Sequence, residues 1–446
     1  MQIFNISMKN NPLAKALIRF ISNNPLYKGV LVLGSGTVLA QLIGIVTLPI
    51  ITRLYSPSDL GVLAVYSSIL SIVVVAASFR YEFAYPLPKQ DETAANLFAL
   101  CLLLLIVTSI GFTFVILFAG DILVTVFHLE SLVQYLWLLI LGFFGMGLYT
   151  ILNHWAIRQR DYRRITYTKI NQSASGAACK ILLGFISYGP IGLIIGQIVS
   201  QVFGVSTFSR AMWKTEWDSL RKISIDGIKS VAKEYWSFPA FNLPASIVNT
   251  LSLQVPALML LAIYGSQTVG LYALAQSLLV LPGSVISTSL AQAFLGEASK
   301  MVREDSLELK PLYITTVRHL SLIAVPLIGI PALLAPIVVP IIFGEVWIDA
   351  GWYCLPLALM VIPQFVVSPT SKLTIYGYNH WMLMWDITRV FGILVGFYVS
   401  QLFGLPVIMT VTIYALIMFA MYLFLIILNL KAISNFTQLV GSYRTE

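Results

Sequence analysis

Long apolar runs alternate with short polar breaks along most of the chain. Runs near 29–50, 60–80, 96–118, 132–155, 166–187 and 190–209, then 238–263, 269–294, 313–342, 351–376, 381–402 and 406–430 each approach the 20 or so residues that let a helix cross a hydrocarbon core of about 30 Å. The pattern predicts an all-α membrane protein of about twelve transmembrane helices. It divides into residues 29–211 and 238–430, six spans each, joined by a linker over 212–237 and flanked by segments 1–28 and 431–446. In the leading segment, Leu13, Leu17, Phe20 and Ile21 predict a short helix lying on the membrane surface, and no apolar core with a small-residue cleavage site marks a secretory signal. The linker sets Ile225, Ile228 and Val231 against Arg221, Lys222 and Lys229, which predicts a second surface helix.

The two groups of spans look like copies. YSPSDLGVLAVYSSIL, after the first span, aligns without a gap on YGSQTVGLYALAQSLL, after the seventh, matching Tyr55 with Tyr264, Gly61 with Gly270, Ala64 with Ala273 and Ser68 with Ser277. Six spans separate the copies, so both run in the same direction. A parallel repeat of this kind implies two six-helix lobes related by an axis along the membrane normal, as in transporters that work by alternating access.

Composition agrees: 58% of the 446 residues are hydrophobic and 10% charged, against about 25% charged in soluble domains. The charge distribution sets the expected orientation. Arg158, Arg160, Arg163 and Arg164, then Arg210, Lys214, Arg221, Lys222, Lys229 and Lys233, then Lys300, Arg303 and Lys310 fall in alternate connections, whereas AGDILVTVFHLE, SYGP, YGSQT, GEVWIDA and FGLP hold no lysine or arginine. Basic loops are retained in the cytoplasm, so both termini are expected there. The same bias accounts for the net charge of +8 without nucleic acid as a partner. Cys101, Cys179 and Cys354 are scattered, and His128, His154, His319 and His380 lack metal-ligand spacing. No phosphate loop or nucleophile elbow is present to support ATP use or hydrolysis. No cofactor is expected.

Charges inside the spans are the candidate chemistry. On the fifth span Lys169, Gln172, Ser173, Gly176 and Lys180 share one narrow face, the two lysines about 16 Å apart along the axis. A lysine can snorkel to an interface, which suits Lys169; Lys180 lies further from the cytoplasmic end, and intramembrane ammonium groups usually face water or a partner. Gln364, Ser368 and Lys372 share a face of the tenth span. Asp386 and Arg389, three apart on the eleventh, either neutralise each other or serve transport. Arg53 ends the first span on the outer side, as a receptor for an anion or a helix anchor. Arg80 closes the second as an entrance contact at the cytoplasmic side, unable to face Glu82 if the helix continues. Asn242, Asn249, Ser252 and Gln254 make the seventh span polar, for sugar hydroxyls or for helix packing.

TRLYSPSDLGVLAVY, FRYEFAYPLPKQDETAANLFAL, YWSFPAFNLPASIVNTLSLQVPALML and FGEVWIDAGWYCLPLALMVIPQFVVSP resemble, in order and over nearly the whole chain, the oligosaccharide flippases of the multidrug, oligosaccharidyl-lipid and polysaccharide (MOP) exporter superfamily. The resemblance implies a MATE-like, two-lobed fold in a bacterial inner membrane. It also implies a substrate: a polyprenyl pyrophosphate bearing an O-antigen-like or other surface-polysaccharide repeat unit, moved from the cytoplasmic to the periplasmic leaflet. Lys180, Lys169, Gln172, Arg53, Arg80, Asn242, Asn249, Lys372 and Arg389 are then the expected cavity residues, and Asp386 is the candidate acid if protons or sodium ions are coupled. Membrane lipids, a polysaccharide polymerase and chain-length machinery are the expected partners. A multidrug exporter of the same superfamily is the alternative, though deep charges that are mainly Lys180, Lys372 and Arg389 favour an anionic cargo. A membrane glycosyltransferase or polymerase would need catalytic groups in outer loops that are short, and a non-transporting scaffold would not need so many prolines and polar residues inside spans.

Overall fold

A computed structural model describes residues 25–127, 129–186, 189–215, 222–304 and 306–445. The surface helix expected in segment 1–28 lies almost wholly outside the described residues. Twelve long helices are present among them: α1 (Pro25–Leu54), α2 (Pro57–Val74), α3 (Asp91–Phe127), α4 (Leu136–Arg158), α5 (Tyr162–Phe185) and α6 (Pro190–Thr215), then, past the short linker helix α7 (Ile225–Glu234), α8 (Leu243–Tyr264), α9 (Ser266–Arg303), α10 (Leu309–Phe343), α11 (Ile348–Thr370), α12 (Asn379–Leu402) and α13 (Val407–Thr445). Ten are long and apolar enough to cross a membrane. The remaining two, α5 and α9, are more polar, and both border the lobe interface or its cavities.

Local chemistry sets the boundaries. Ser56 caps α2 by accepting from the Asp59 amide at 3.2 Å while the Asp59 carboxylate accepts from the Ser56 amide at 2.9 Å, with Pro57 at the first helical position, a reciprocal arrangement that satisfies two otherwise unpaired donors. The second span stops at Val74 rather than near residue 80: Phe79 and Arg80 adopt φ of 50° and 65°, a left-handed conformation that non-glycine residues rarely take. Residues 431–445, expected as a tail, continue α13.

The helices form two lobes with the same internal wiring. In the first, α1 packs on α5, α3 on α4, α4 on α6 and α5 on α6; in the second, α8 packs on α12, α10 on α11, α11 on α13 and α12 on α13. The lobes meet chiefly where α2 lies along α8 and α9. The crossing of α2 and α9 is reciprocal: a Cβ on Gly61 would overlap the Ser266 carbonyl, and one on Gly270 would overlap the Pro57 carbonyl. Pro57 and Ser266 are matched positions of the internal repeat, as are Gly61 and Gly270, so the sequence repeat becomes a two-fold contact of backbone on backbone that only glycine permits.

The linker helix departs from expectation. Val231 is buried, and α7 is fixed to the base of the first lobe, where the Tyr81 hydroxyl donates to the Ala232 carbonyl at 2.9 Å and the Ser224 amide to Asn96 Oδ1 at 2.9 Å. Ile225, at the other end of the helix, keeps the exposure expected of a surface residue, at 73%.

Candidate functional site

Within the first lobe, and bordered by α9, lies a polar cavity of about 460 Å³. Helix α1 contributes Thr37 and Gln41, α5 contributes Lys169, Gln172 and Ser173, α6 contributes Gln197, Ser200 and Gln201, and Leu281 of α9 adds an apolar edge. Glycines on α6 seat the side chains of α5: Gln172 lies against Gly204 and the stem of Lys180 against Gly196, while Gly176 faces Ser200. The Lys169 ammonium donates to Thr37 Oγ1 at 2.9 Å. Gln41 Nε2 donates to Ser284 Oγ of α9 at 2.9 Å, so the cavity reaches across the lobe interface.

Lys180 sits beside this cavity rather than in its wall. It is five residues from the end of α5 at Phe185, about 8 Å along the axis, so it is nearer the charge-poor end than the cavity's middle. Its ammonium donates to Gln197 Oε1 at 3.2 Å, and Gln197 lines the cavity. The Tyr55 hydroxyl donates to the Lys180 carbonyl at 2.7 Å; burial, with smaller contributions from Cys179 and Asp59, pushes the Tyr55 phenol up to about 12, which keeps it a neutral donor.

Beyond the cavity, the charge-poor ends of the lobes are tied together. The Arg53 guanidinium donates to the carbonyls of Ile341 and Ile342 at 3.2 and 3.3 Å, Trp347 Nε1 donates to the Thr52 carbonyl at 3.0 Å, and the Ser58 and Ser266 hydroxyls share a hydrogen bond at 2.7 Å. Arg53 thus joins the two lobes through the last turn of α10. Along the same seam, an apolar groove, also of about 460 Å³, runs between Ile45, Leu48 and Pro49 of α1, Leu278, Leu281 and Pro282 of α9, and Leu334 and Val338 of α10. Leu281 borders both spaces, and α1 shows its polar residues to one and its aliphatic residues to the other.

The other expected cavity residues lie apart from this site. Arg80, released from the helix, comes within 3.6 Å of buried Glu82 and lies over the Phe83 ring at 5.0 Å; Glu82 also accepts from Ser78 at 2.5 Å. The helical rule that kept Arg80 and Glu82 apart fails because the helix has ended. Asn242 is exposed at the end of a π turn over Phe238–Asn242. Asn249, itself exposed, meets a buried cluster in the second lobe at its edge: Arg389 donates to Asp386 at 2.6 Å, to Asn249 Oδ1 at 3.2 Å and to Ser252 Oγ, and its guanidinium stacks on the Trp385 ring at 4.2 Å. Asp386 is therefore matched by Arg389. Lys372 follows the end of α11, its amide donating to Asn429, whereas Gln364 and Ser368 line a separate cavity of about 90 Å³ with Ser284 and Ser287. Gln41, Gln197 and Gln201 carry no charge to single them out in the sequence, although Gln197 and Gln201 are spaced to share a helix face.

Comparison with known proteins gives this arrangement a family. The sequence profile described as Polysaccharide biosynthesis protein matches residues 50–351, more than half of the chain. The chain belongs to that family. The succinoglycan biosynthesis transport protein ExoT of Rhizobium meliloti (strain 1021) is 22% identical over 356 residues, 77% of this chain and 68% of its own length. The teichuronic acid biosynthesis protein TuaB of Bacillus subtilis (strain 168) is 23% identical over 197 residues, 43% of this chain, and the match spans 40% of the relative's own length. Among solved structures, the inward-facing conformation of a multidrug resistance MATE family transporter of the MOP superfamily superposes with a TM-score of 0.71 at 15% identity, covering 91% of this chain and 95% of the other. An outward-facing conformation of a MATE family transporter gives 0.60 at 16% identity, over 92% and 96%. The chain therefore shares the fold of these MATE transporters and is a multi-pass membrane protein.

Proposed function

We propose that this member of the polysaccharide biosynthesis family is a flippase that carries a polyprenyl-pyrophosphate-linked saccharide from the inner to the outer leaflet. The observation that carries the reading is the succession of environments along α1. A polar cavity holding one cation, Lys169, lies over residues 37–44 of α1, and an apolar groove of similar volume follows over residues 45–49, Leu281 of α9 bordering both. A lipid with a charged, hydroxylated head needs both, because charge cannot enter hydrocarbon unpaired while its chain gains nothing by leaving it. Cationic drugs suit the cavity poorly, since Lys169 repels them. With the basic loops in the cytoplasm, the ties at Arg53, Trp347 and Ser58 close the outer side, and the cavity awaits cargo from within. No bond is made or broken by the protein; the saccharide it delivers would then meet a polymerase at the outer face.

Counterflow in proteoliposomes tests this. Lipid-linked saccharide on one side should accelerate release of labelled substrate from the other, and Lys169→Gln should slow that exchange at normal protein level. Exchange of a cationic dye with no exchange of the lipid would place the protein with the multidrug exporters instead.

A further inference from the structure

Lys180 is an intramembrane cation that no carboxylate of the described residues pairs with. Its ammonium has a neutral partner instead, Gln197 Oε1 at 3.2 Å. The lysine is held along its length: the Tyr55 hydroxyl donates to its carbonyl at 2.7 Å, and its stem lies on Gly196 so closely that a Cβ there would overlap Cγ. A charge inside a span usually answers to water or to an opposite charge.

The geometry passes this charge to the cavity through one amide. An ammonium only donates, so the oxygen of Gln197 must face Lys180, and Nε2 is the end left for the cavity that Gln197 lines. That nitrogen is accessible and has no acceptor among the described residues. A cation on the oxygen of an amide polarises it and strengthens its N–H groups as donors. They suit an acceptor that carries negative charge. A phosphate oxygen is one, whereas a neutral sugar hydroxyl would leave the charge of Lys180 uncompensated.

The amide stands apart from Lys169. Gln172 lies against Gly204 and Lys180 against Gly196, so Gln197 is about level with Lys180, roughly 16 Å along α5 from Lys169 toward the charge-poor end. The Lys169 side chain leans the other way, to Thr37, whose neighbour Gly36 meets Thr166. One pyrophosphate cannot bridge the two.

We propose that Gln197, oriented and polarised by Lys180, is a second phosphate station, to which the head group passes outward from Lys169. Lys180 is then a positioning residue that acts from behind the amide without touching the cargo. This rests on the flippase reading and adds to it the route of the phosphate through the first lobe.

Counterflow of a polyprenyl-pyrophosphate-linked hexose in proteoliposomes tests it, read as maximal rate and KM, with the melting temperature of each full-length variant alongside. Gln197→Met should lower the maximal rate by about ten- to a hundredfold, the effect of one hydrogen bond to a charged group, and leave KM nearly unchanged, whereas Lys169→Gln should raise KM. Lys180→Met should match Gln197→Met, and combining the two should cost nothing more, since they act as one unit; losses that multiply would put Lys180 on the cargo itself and overturn its positioning role. Gln197→Glu separates function from structure. The carboxylate keeps its bond to Lys180 as an ion pair, so the melting temperature should not fall, yet the donor is gone and the cation neutralised, so exchange should collapse. Full exchange in that variant would overturn the station. The same losses should appear with the bare polyprenyl pyrophosphate, and a loss confined to the glycosylated lipid would make Gln197 a sugar contact instead. A wild type that exchanges neither lipid would remove the flippase reading; one that exchanges both, with variants that match it, removes the station alone.

Discussion

Replacing Arg53 with alanine separates two roles that the sequence leaves open, receptor for the crossing anion or anchor for a helix end. The guanidinium makes two bonds to carbonyls of the other lobe, at 3.2 and 3.3 Å, and the side chain is exposed. Bonds at the long edge of the usual range and open to water contribute toward the lower end of the usual scale, about 0.5–1 kcal/mol each. Their loss should therefore shift the closed-to-open equilibrium at the charge-poor end by about 1–2 kcal/mol, or roughly 5- to 30-fold. The reporter is a cysteine in place of Ser200, which lines the cavity, in a protein lacking Cys101, Cys179 and Cys354. An impermeant thiol reagent applied from the periplasmic side should label it 5- to 30-fold faster in Arg53→Ala than in the parent, and Arg53→Lys should fall between. Unchanged labelling alongside lost transport would show that Arg53 touches cargo rather than holding the lobes together. Unchanged labelling with unchanged transport would show that the two bonds carry no weight.

A Ser58→Cys, Ser266→Cys pair replaces hydroxyls 2.7 Å apart, within reach of a disulfide; oxidation should stop exchange and a reductant should restore it, and full activity in the cross-linked protein would refute closure at this end. Asp386→Asn should lower abundance and melting temperature, because stranding one partner of a buried pair costs about 3–5 kcal/mol, and Arg389→Gln added to it should recover both; a well-folded Asp386→Asn protein that had lost only its dependence on an ion gradient would instead make Asp386 the coupling acid. Leu334→Trp, which fills the apolar groove, should slow exchange of a long-chain polyprenyl substrate and spare a short-chain analogue, and equal slowing of both would remove the groove from the path of the chain.

The fold was legible because the bilayer fixes one length scale, and runs of apolar residues reveal it without knowledge of contacts. Boundaries that depend on local backbone were not. Nothing in SFRYEFAY, before Pro86, announces that Phe79 and Arg80 turn left-handed, so the sequence alone implies a helical Arg80 kept apart from Glu82. Half of the cavity was legible: Lys169 and Gln172 declare themselves by charge and spacing on α5. Its other wall, Gln197 and Gln201 on α6, carries the same four-residue spacing but no charge, and a search led by charge passes over it. Asn249, Asp386 and Arg389 were each noticed, yet their meeting depends on the packing of α8 on α12, which no local pattern encodes. The docking of α7 is of the same kind, since Asn96 and Ser224 lie 128 residues apart.

The buried cluster around Arg389 also bears on what drives transport. Asp386 is the one aspartate among the buried residues described, and it faces a guanidinium that further binds Asn249 and Ser252 and stacks on Trp385. For Asp386 to carry an ion through each cycle, Arg389 would have to release it and pair elsewhere, at a cost set by burial of both charges. The cargo needs no such device. An anion leaving a cell whose interior is negative gains about 2.3 kcal/mol per charge per 100 mV, and a pyrophosphate diester carries two charges. On the proposed flippase reading the protein would draw on that field directly, Lys169 compensating the anion while it is held in the cavity and the potential favouring its departure outward.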